Sequence, residues 1–107
     1  MRENRYKEIV DKCGKEYVYE QLAEECCELA QACLKMVRVE KKTTPMRMDE
    51  AWERLLEELG DVMLMMEMVE FMFLHEHDKS TILEIAERKE KRMYDRLLDG
   101  KMVEDVW

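Results

Sequence analysis

The chain predicts an all-α fold, a four-helix bundle assembled as a dimer or tetramer, and three observations carry that expectation. Gly occurs three times and Pro once in 107 residues, while Leu, Met, Glu, Lys and Arg abound, a helical composition. Apolar residues recur at steps of three and four along two long stretches. One of these stretches is apolar around most of its circumference, more than a single partner helix can cover.

The first helix is expected from about Glu3 to Cys13, stopped by Gly14, in the role of a lid or flank. A long second helix runs from about Glu16 to Val39. Its core stripe is Val18, Leu22, Cys26, Leu29, Cys33 and Val37, with Glu25 on the border and Glu28 beside it. The segment from Lys41 to Pro45, with its Pro and paired threonines, breaks the pattern and is long enough for an antiparallel return. The third helix, about Asp49 to Glu76, has a heptad seam of Trp52, Leu55, Leu59, Val62, Met66, Val69 and Phe73. Glu58 and Asp61 lie to one side of it, and Met65, Met68 and Met72 continue along that side. The eleven methionines read as adaptable core and interface filler. Thr81-Ile82-Leu83-Glu84 reads as a capping box opening a fourth helix that ends near Leu98, just before Gly100. Its apolar positions are Ile82, Ile85, Ala86, Met93 and Leu97. Lys89, Arg92 and Arg96 follow at their edge, either as snorkelling cations or as a phosphate-facing row.

A single domain of 107 residues with 47% hydrophobic content can bury a core, though not a generous one, and gains from association. The net charge of −8 is uneven: residues 49–78 hold ten acids against one Arg, whereas residues 79–101 hold seven bases against five acids. That balance disfavours duplex nucleic acid, which needs a concentrated basic surface, and leaves room for a single nucleotide brought in with a metal. The longest apolar run, Val62 to Leu74, has thirteen residues and contains Glu67 and Glu70, so no membrane crossing is expected. The opening Met-Arg-Glu-Asn-Arg lacks a signal-peptide apolar region, which leads to the expectation of a cytoplasmic protein. Cys13, Cys26, Cys27 and Cys33 form no CxxC, and buried reduced thiols are expected in preference to disulfide or zinc.

Two acidic signatures carry the functional reading. Glu24-Glu25-Cys26-Cys27-Glu28 in the second helix and Glu58-Leu59-Gly60-Asp61 in the third each place carboxylates three residues apart on one helix side. No cation is expected within the turn of either pair, and like charges at this spacing cost a helix about 0.2–0.5 kcal/mol per pair. Each pair adjoins its core stripe instead of opposing it. Gly60 costs about 1 kcal/mol against Ala in a helix, and it permits close approach of a helix, a ligand or solvent. A divalent cation held between antiparallel helices by Glu25, Glu28, Glu58 and Asp61 accounts for all of this; a solvated acidic face is the other reading. A ferritin-like di-iron bundle needs Glu-x-x-His, but Met72 and Leu74 stand three residues before His75 and His77. Oxygen donors alone favour Mg²⁺, with Mn²⁺ as the alternative, over iron or zinc. Carboxylate-bound Mg²⁺ usually takes phosphate oxygens among its remaining ligands, which points towards phosphate chemistry.

Glu24-Glu25-x-x-Glu28 followed by Glu58-x-x-Asp61 resembles the EExxE…ExxD signature of the MazG-like all-α nucleoside triphosphate pyrophosphohydrolases, relatives of the dimeric dUTPases. Gln21-Leu22-Ala23 before the first motif, Leu29-Ala30 and Lys35 after it, and Val62 after the second agree, and Lys89-x-x-Arg92-x-x-x-Arg96 looks like the basic fourth helix of small members. The resemblance spans roughly residues 17–98. It implies a MazG-like bundle, a dimer or dimer of dimers, that hydrolyses the α–β phosphate bond of (d)NTPs with Mg²⁺, yielding nucleoside monophosphate and pyrophosphate in nucleotide-pool house-cleaning. The implied catalytic set is Glu24, Glu25, Glu28, Glu58 and Asp61. The last four match the metal ligands, and Glu24 holds a water or a basic side chain behind them or helps activate the attacking water. Lys35, Lys89, Arg92 and Arg96 are the phosphate-binding candidates. Twenty-nine residues separate Glu28 from Glu58, at or beyond the long end of the family signature. The extra length falls at the end of the second helix and in the Lys41–Pro45 linker, where it bears on the substrate pocket more than on the ligands. Tyr17, Tyr19 and Trp52 are aromatics that either stack on a base or pack in the core. The alternative function is a non-catalytic helical regulatory or protein-binding module of the same fold; a coiled-coil adaptor on the Met-rich seam is a third, and it predicts no metal dependence.

Overall fold

Among the described residues there are four helices, α1 (Arg2–Cys13), α2 (Lys15–Glu40), α3 (Met48–Phe73) and α4 (Glu76–Leu98), and no strand. The structure is a computed structural model that describes residues 2–100, so the C-terminal tail lies outside the described residues. α1, α2 and α3 form one compact unit and α4 belongs to a second. No helix among the described residues is long and apolar enough to cross a membrane.

Each chain reversal in the first unit has a local cause. Gly14 joins α1 to α2 at φ 92° and ψ 160°, a region open essentially only to glycine, while its N–H bonds to the Val10 carbonyl at 2.8 Å. At the end of α2, Lys42 takes a left-handed conformation at φ 61°. The Lys42 N–H donates to the Val39 carbonyl at 3.0 Å and the Thr43 N–H to the Arg38 carbonyl at 2.9 Å, a Schellman closure with lysine where glycine is usual.

α2 and α3 pack antiparallel, with Val18 near the start of α2 in the same core as Met65 and Met68 late in α3. α1 seats on this pair through Tyr6, which joins that core, while Ile9 and Val10 pack against it. Arg2 reaches Glu67 on α3 through Nη1 at 2.8 and 2.9 Å. This pair is exposed and contributes about 0.2–1 kcal/mol at most, so α1 is held mainly by apolar burial.

The seam differs from the expected one by a rotation of each helix. On α2 the covered face is Val18, Leu22, Glu25, Leu29, Ala32, Met36 and Val39, whereas Cys26, Cys33 and Val37 are exposed. On α3 it is Ala51, Leu55, Glu58, Val62, Met65 and Met68, with Val69 and Met72 half-buried. Trp52, Leu59 and Met66, expected in the seam, are 51%, 43% and 58% exposed. The error arises because both helices carry two apolar stripes one position apart, and periodicity alone does not say which faces inward. It also displaces the cysteines: all four are free, as expected, but exposed and not buried.

The boundary between the third and fourth helices differs too. α3 stops at Phe73, not Glu76, and α4 opens at Glu76, five residues before the expected Thr81 capping box. The Asp78 carboxylate accepts the His75 N–H at 2.9 Å, and Glu76 and Asp78 set negative charge in the first turn, where the helix dipole favours it. Thr81 lies inside α4, its hydroxyl donating back to the His77 carbonyl at 3.0 Å. Within its unit α4 has no fully buried residue; Ile85 is half-buried, and Ile82, Met93 and Leu97 are exposed.

Candidate metal centre

The rotated seam puts two carboxylates where a bundle ordinarily carries apolar side chains. Glu25 and Glu58 are half-buried at facing seam positions, and Glu28 and Asp61, one turn further along each helix, bring two more carboxylates to the same place. One oxygen from each of Glu25, Glu28, Glu58 and Asp61 lies within 4.8 Å of all the others. Oε2 of Glu25 and Oε2 of Glu58 are removed from solvent and have no hydrogen-bond partner. A buried carboxylate oxygen without a donor is costly.

Titration follows from this crowding. Desolvation, and then the negative charges of Glu28, Asp61 and Glu58, push the Glu25 carboxyl above its ordinary range. Desolvation, then Glu28 and Asp61, push Glu58 up as well, while the Arg54 guanidinium pulls the other way. The expectation that neither pair has a cation within its own turn therefore fails for Glu58. Arg54, one turn earlier on α3, is the residue missed, and its spacing of four from Glu58 was the available signal.

The four-carboxylate arrangement fits a hard divalent cation. It offers only oxygen donors, and two of its oxygens lack any other partner. Glu24, the fifth acid of the first motif, stands outside the converging set, exposed, with its Oε2 accepting from Gln21 Nε2 at 3.0 Å.

Two clefts flank the carboxylates. One, of about 550 Å³, touches Glu28 and Glu58 and is lined by Gln31, Lys35, Arg38 and Arg54 as well. The other, of about 260 Å³, touches Glu25 and Asp61 and is lined by Ile9, Tyr17, Gln21, Leu64, Met65 and Met68. Of the expected phosphate-binding residues, Lys35 lines the first cleft, whereas Lys89, Arg92 and Arg96 are exposed on α4 in the second unit. Of the aromatics, Tyr17 lines the second cleft and Tyr19 packs against Phe73 at 5.4 Å between ring centroids. Trp52 stands half exposed on the outer side of α3. Gly60 has nothing within 4 Å of where a Cβ would stand, so none of the described residues makes the close approach that a glycine permits.

No family model, curated protein or solved structure matches the chain.

Proposed function

We propose that the protein is a Mg²⁺-dependent nucleoside triphosphate pyrophosphohydrolase of MazG-like kind, hydrolysing the α–β phosphate bond of (d)NTPs. The observation that carries this reading is the convergence of Glu25, Glu28, Glu58 and Asp61 from two antiparallel helices, two of their oxygens buried without a partner. Mg²⁺, with Mn²⁺ as alternative, would neutralise phosphate charge there and acidify a bound water. The chain's own part is to hold that charge between two rigid helices and to seat the substrate in the flanking clefts, where Lys35, Arg38 and Arg54 offset the negative charge of the phosphates. In the reaction a phosphorus–oxygen bond forms to the oxygen of water and the anhydride bond breaks. Its electron pair leaves on the bridging oxygen, and the water's protons end on products and solvent. Glu24, exposed and accepting a hydrogen bond from Gln21, would hold a water or a basic side chain behind the ligands or help activate the attacking water. Cytoplasmic nucleotide-pool house-cleaning is the role that fits such an activity.

Assembly as a homodimer or dimer of dimers belongs to the same reading. Trp52, Leu56, Leu59, Met63 and Met66 follow at steps of four, three, four and three along α3, all exposed, a second heptad stripe uncovered by the described residues of its own unit. Leu34 and Val37 of α2 are exposed too.

The test is pyrophosphate release from canonical and modified (d)NTPs with Mg²⁺, Mn²⁺ or EDTA, with the nucleotide product analysed. Metal-dependent formation of monophosphate is expected, and Glu58→Gln should abolish it while leaving the helical content intact. Absence of turnover by folded wild-type protein across the panel would refute the enzyme and favour the non-catalytic helical module.

A further inference from the structure

The two clefts divide the four carboxylates between them, Glu28 and Glu58 lining one and Glu25 and Asp61 the other. Along α2, Tyr17, Gln21, Glu25, Glu28, Ala32 and Lys35 follow at steps of four, four, three, four and three, and along α3, Arg54, Glu58, Asp61, Met65 and Met68 at four, three, four and three. Each series stays on one helix face, so both clefts open along the same side of the α2–α3 pair with the carboxylates between them. Their chemistry is opposite. On the Glu28 and Glu58 side the charged lining beyond the carboxylates is cationic, from Lys35, Arg38 and Arg54. On the Glu25 and Asp61 side no lining residue is cationic, and Ile9, Tyr17, Leu64, Met65 and Met68 make an apolar wall beside the amide of Gln21.

Resting on the pyrophosphohydrolase reading, we propose that the two clefts act as one polarised groove. The β and γ phosphates lie against Arg38, Arg54 and Lys35, the scissile bond lies at the carboxylates, and the nucleoside enters the apolar cleft against Tyr17 and Leu64. Guanidinium forks suit phosphate oxygens, which they bind in pairs. Glu28 and Lys35 are seven residues apart, about 10 Å of helix axis at 1.5 Å per residue, room for two phosphoryl groups and the reach of the cations. The apolar cleft offers aromatic and aliphatic faces for a base, with the Gln21 amide as the polar group beside them. A triphosphate in the reverse direction would set the charged β and γ phosphates against an apolar wall and leave a base among three cations.

The experiment is titration calorimetry with Mg²⁺, using inorganic pyrophosphate and, separately, the four deoxynucleoside monophosphates. Wild type is compared with Arg38→Gln/Arg54→Gln and with Tyr17→Ala/Leu64→Ser. All four side chains are exposed, and melting curves check that each variant folds. The arginine variant is expected to weaken pyrophosphate by about tenfold or more and the best-bound monophosphate by no more than about threefold, with the reverse for the Tyr17/Leu64 variant. Equal losses for both ligands in both variants, or the opposite pattern, would overturn the polarity while turnover by wild type left the hydrolase reading standing. If wild type hydrolyses no triphosphate and binds neither product, the hydrolase reading falls and the polarity falls with it.

Discussion

Glu25 and Glu58 stand at seam positions that a helical pair ordinarily fills with leucine, and each is pushed towards its protonated form by burial and by neighbouring acids. The consequence for stability has a definite sign. Above the ordinary carboxyl value of 4.5, the folded chain holds protons that the unfolded chain has released, so without metal these groups make stability fall as pH rises through that window. Thermal melts in EDTA from pH 4 to 8 are therefore expected to show a steeper fall for wild type than for Glu25→Gln/Glu58→Gln. Parallel curves would show that the two carboxyls do not carry the effect. Adding Mg²⁺ above the window should raise the wild-type transition and leave the variant nearly unmoved, because a cation that binds only the folded, ionised cluster stabilises it by mass action. The acids themselves were legible from their spacing of three. Arg54 was legible too, from its spacing of four to Glu58 on the same helix, but Arg38 was not, because a lone arginine on a charged helix gains meaning only when a second helix is laid beside it.

Among the elements, the reversals carry the sharpest energetic statements. Lys42 closes α2 in a left-handed conformation that a side chain adopts at a cost, and its N–H is already engaged as glycine's would be. Lys42→Gly is expected to stabilise the fold by about 0.5–1 kcal/mol, read from the urea midpoint at unchanged slope. Gly14→Ala should do the opposite, losing about 1–3 kcal/mol, since its φ and ψ together exclude a Cβ even though the space around it is open. A neutral result at Gly14 would mean that α1 and α2 can join through another backbone geometry. Helix existence was readable because the apolar periods are long and Gly14 and Pro45 are strong breaks. The entry to α4 was not, because no Gly or Pro marks residues 74–75 and two caps compete there. The His75–Asp78 pairing prevails over the Thr81–Glu84 pattern, whose threonine hydroxyl is spent on the preceding turn. Seam choice was misread for the same kind of reason, two stripes of similar apolarity on each helix, with Glu25 and Glu58 weighting the wrong one.

For the whole molecule, that second stripe is the consequence still open to measurement. A chain whose third helix presents Trp52, Leu56, Leu59, Met63 and Met66 to solvent in heptad order exposes a continuous apolar face, and Met63 at 69% is the most exposed of them. Gly60 stands between Leu56 and Met63 on that side, with open space where a Cβ would be. In a monomer Gly60→Ala would simply gain about 1 kcal/mol of helix propensity. If a second copy packs here, the added methyl meets its backbone or side chains, and the gain is offset by weaker association. Sedimentation velocity across a hundredfold range of protein concentration separates the two. Wild type is expected to sediment as a dimer or larger species with a melting transition that rises with concentration. Gly60→Ala should shift the dissociation midpoint to higher concentration, and Met63→Glu should yield monomer by placing a charge in the centre of the face. Monomeric wild type at every concentration, together with a Gly60→Ala variant that only melts higher, would show that the stripe is not an interface between copies of this chain.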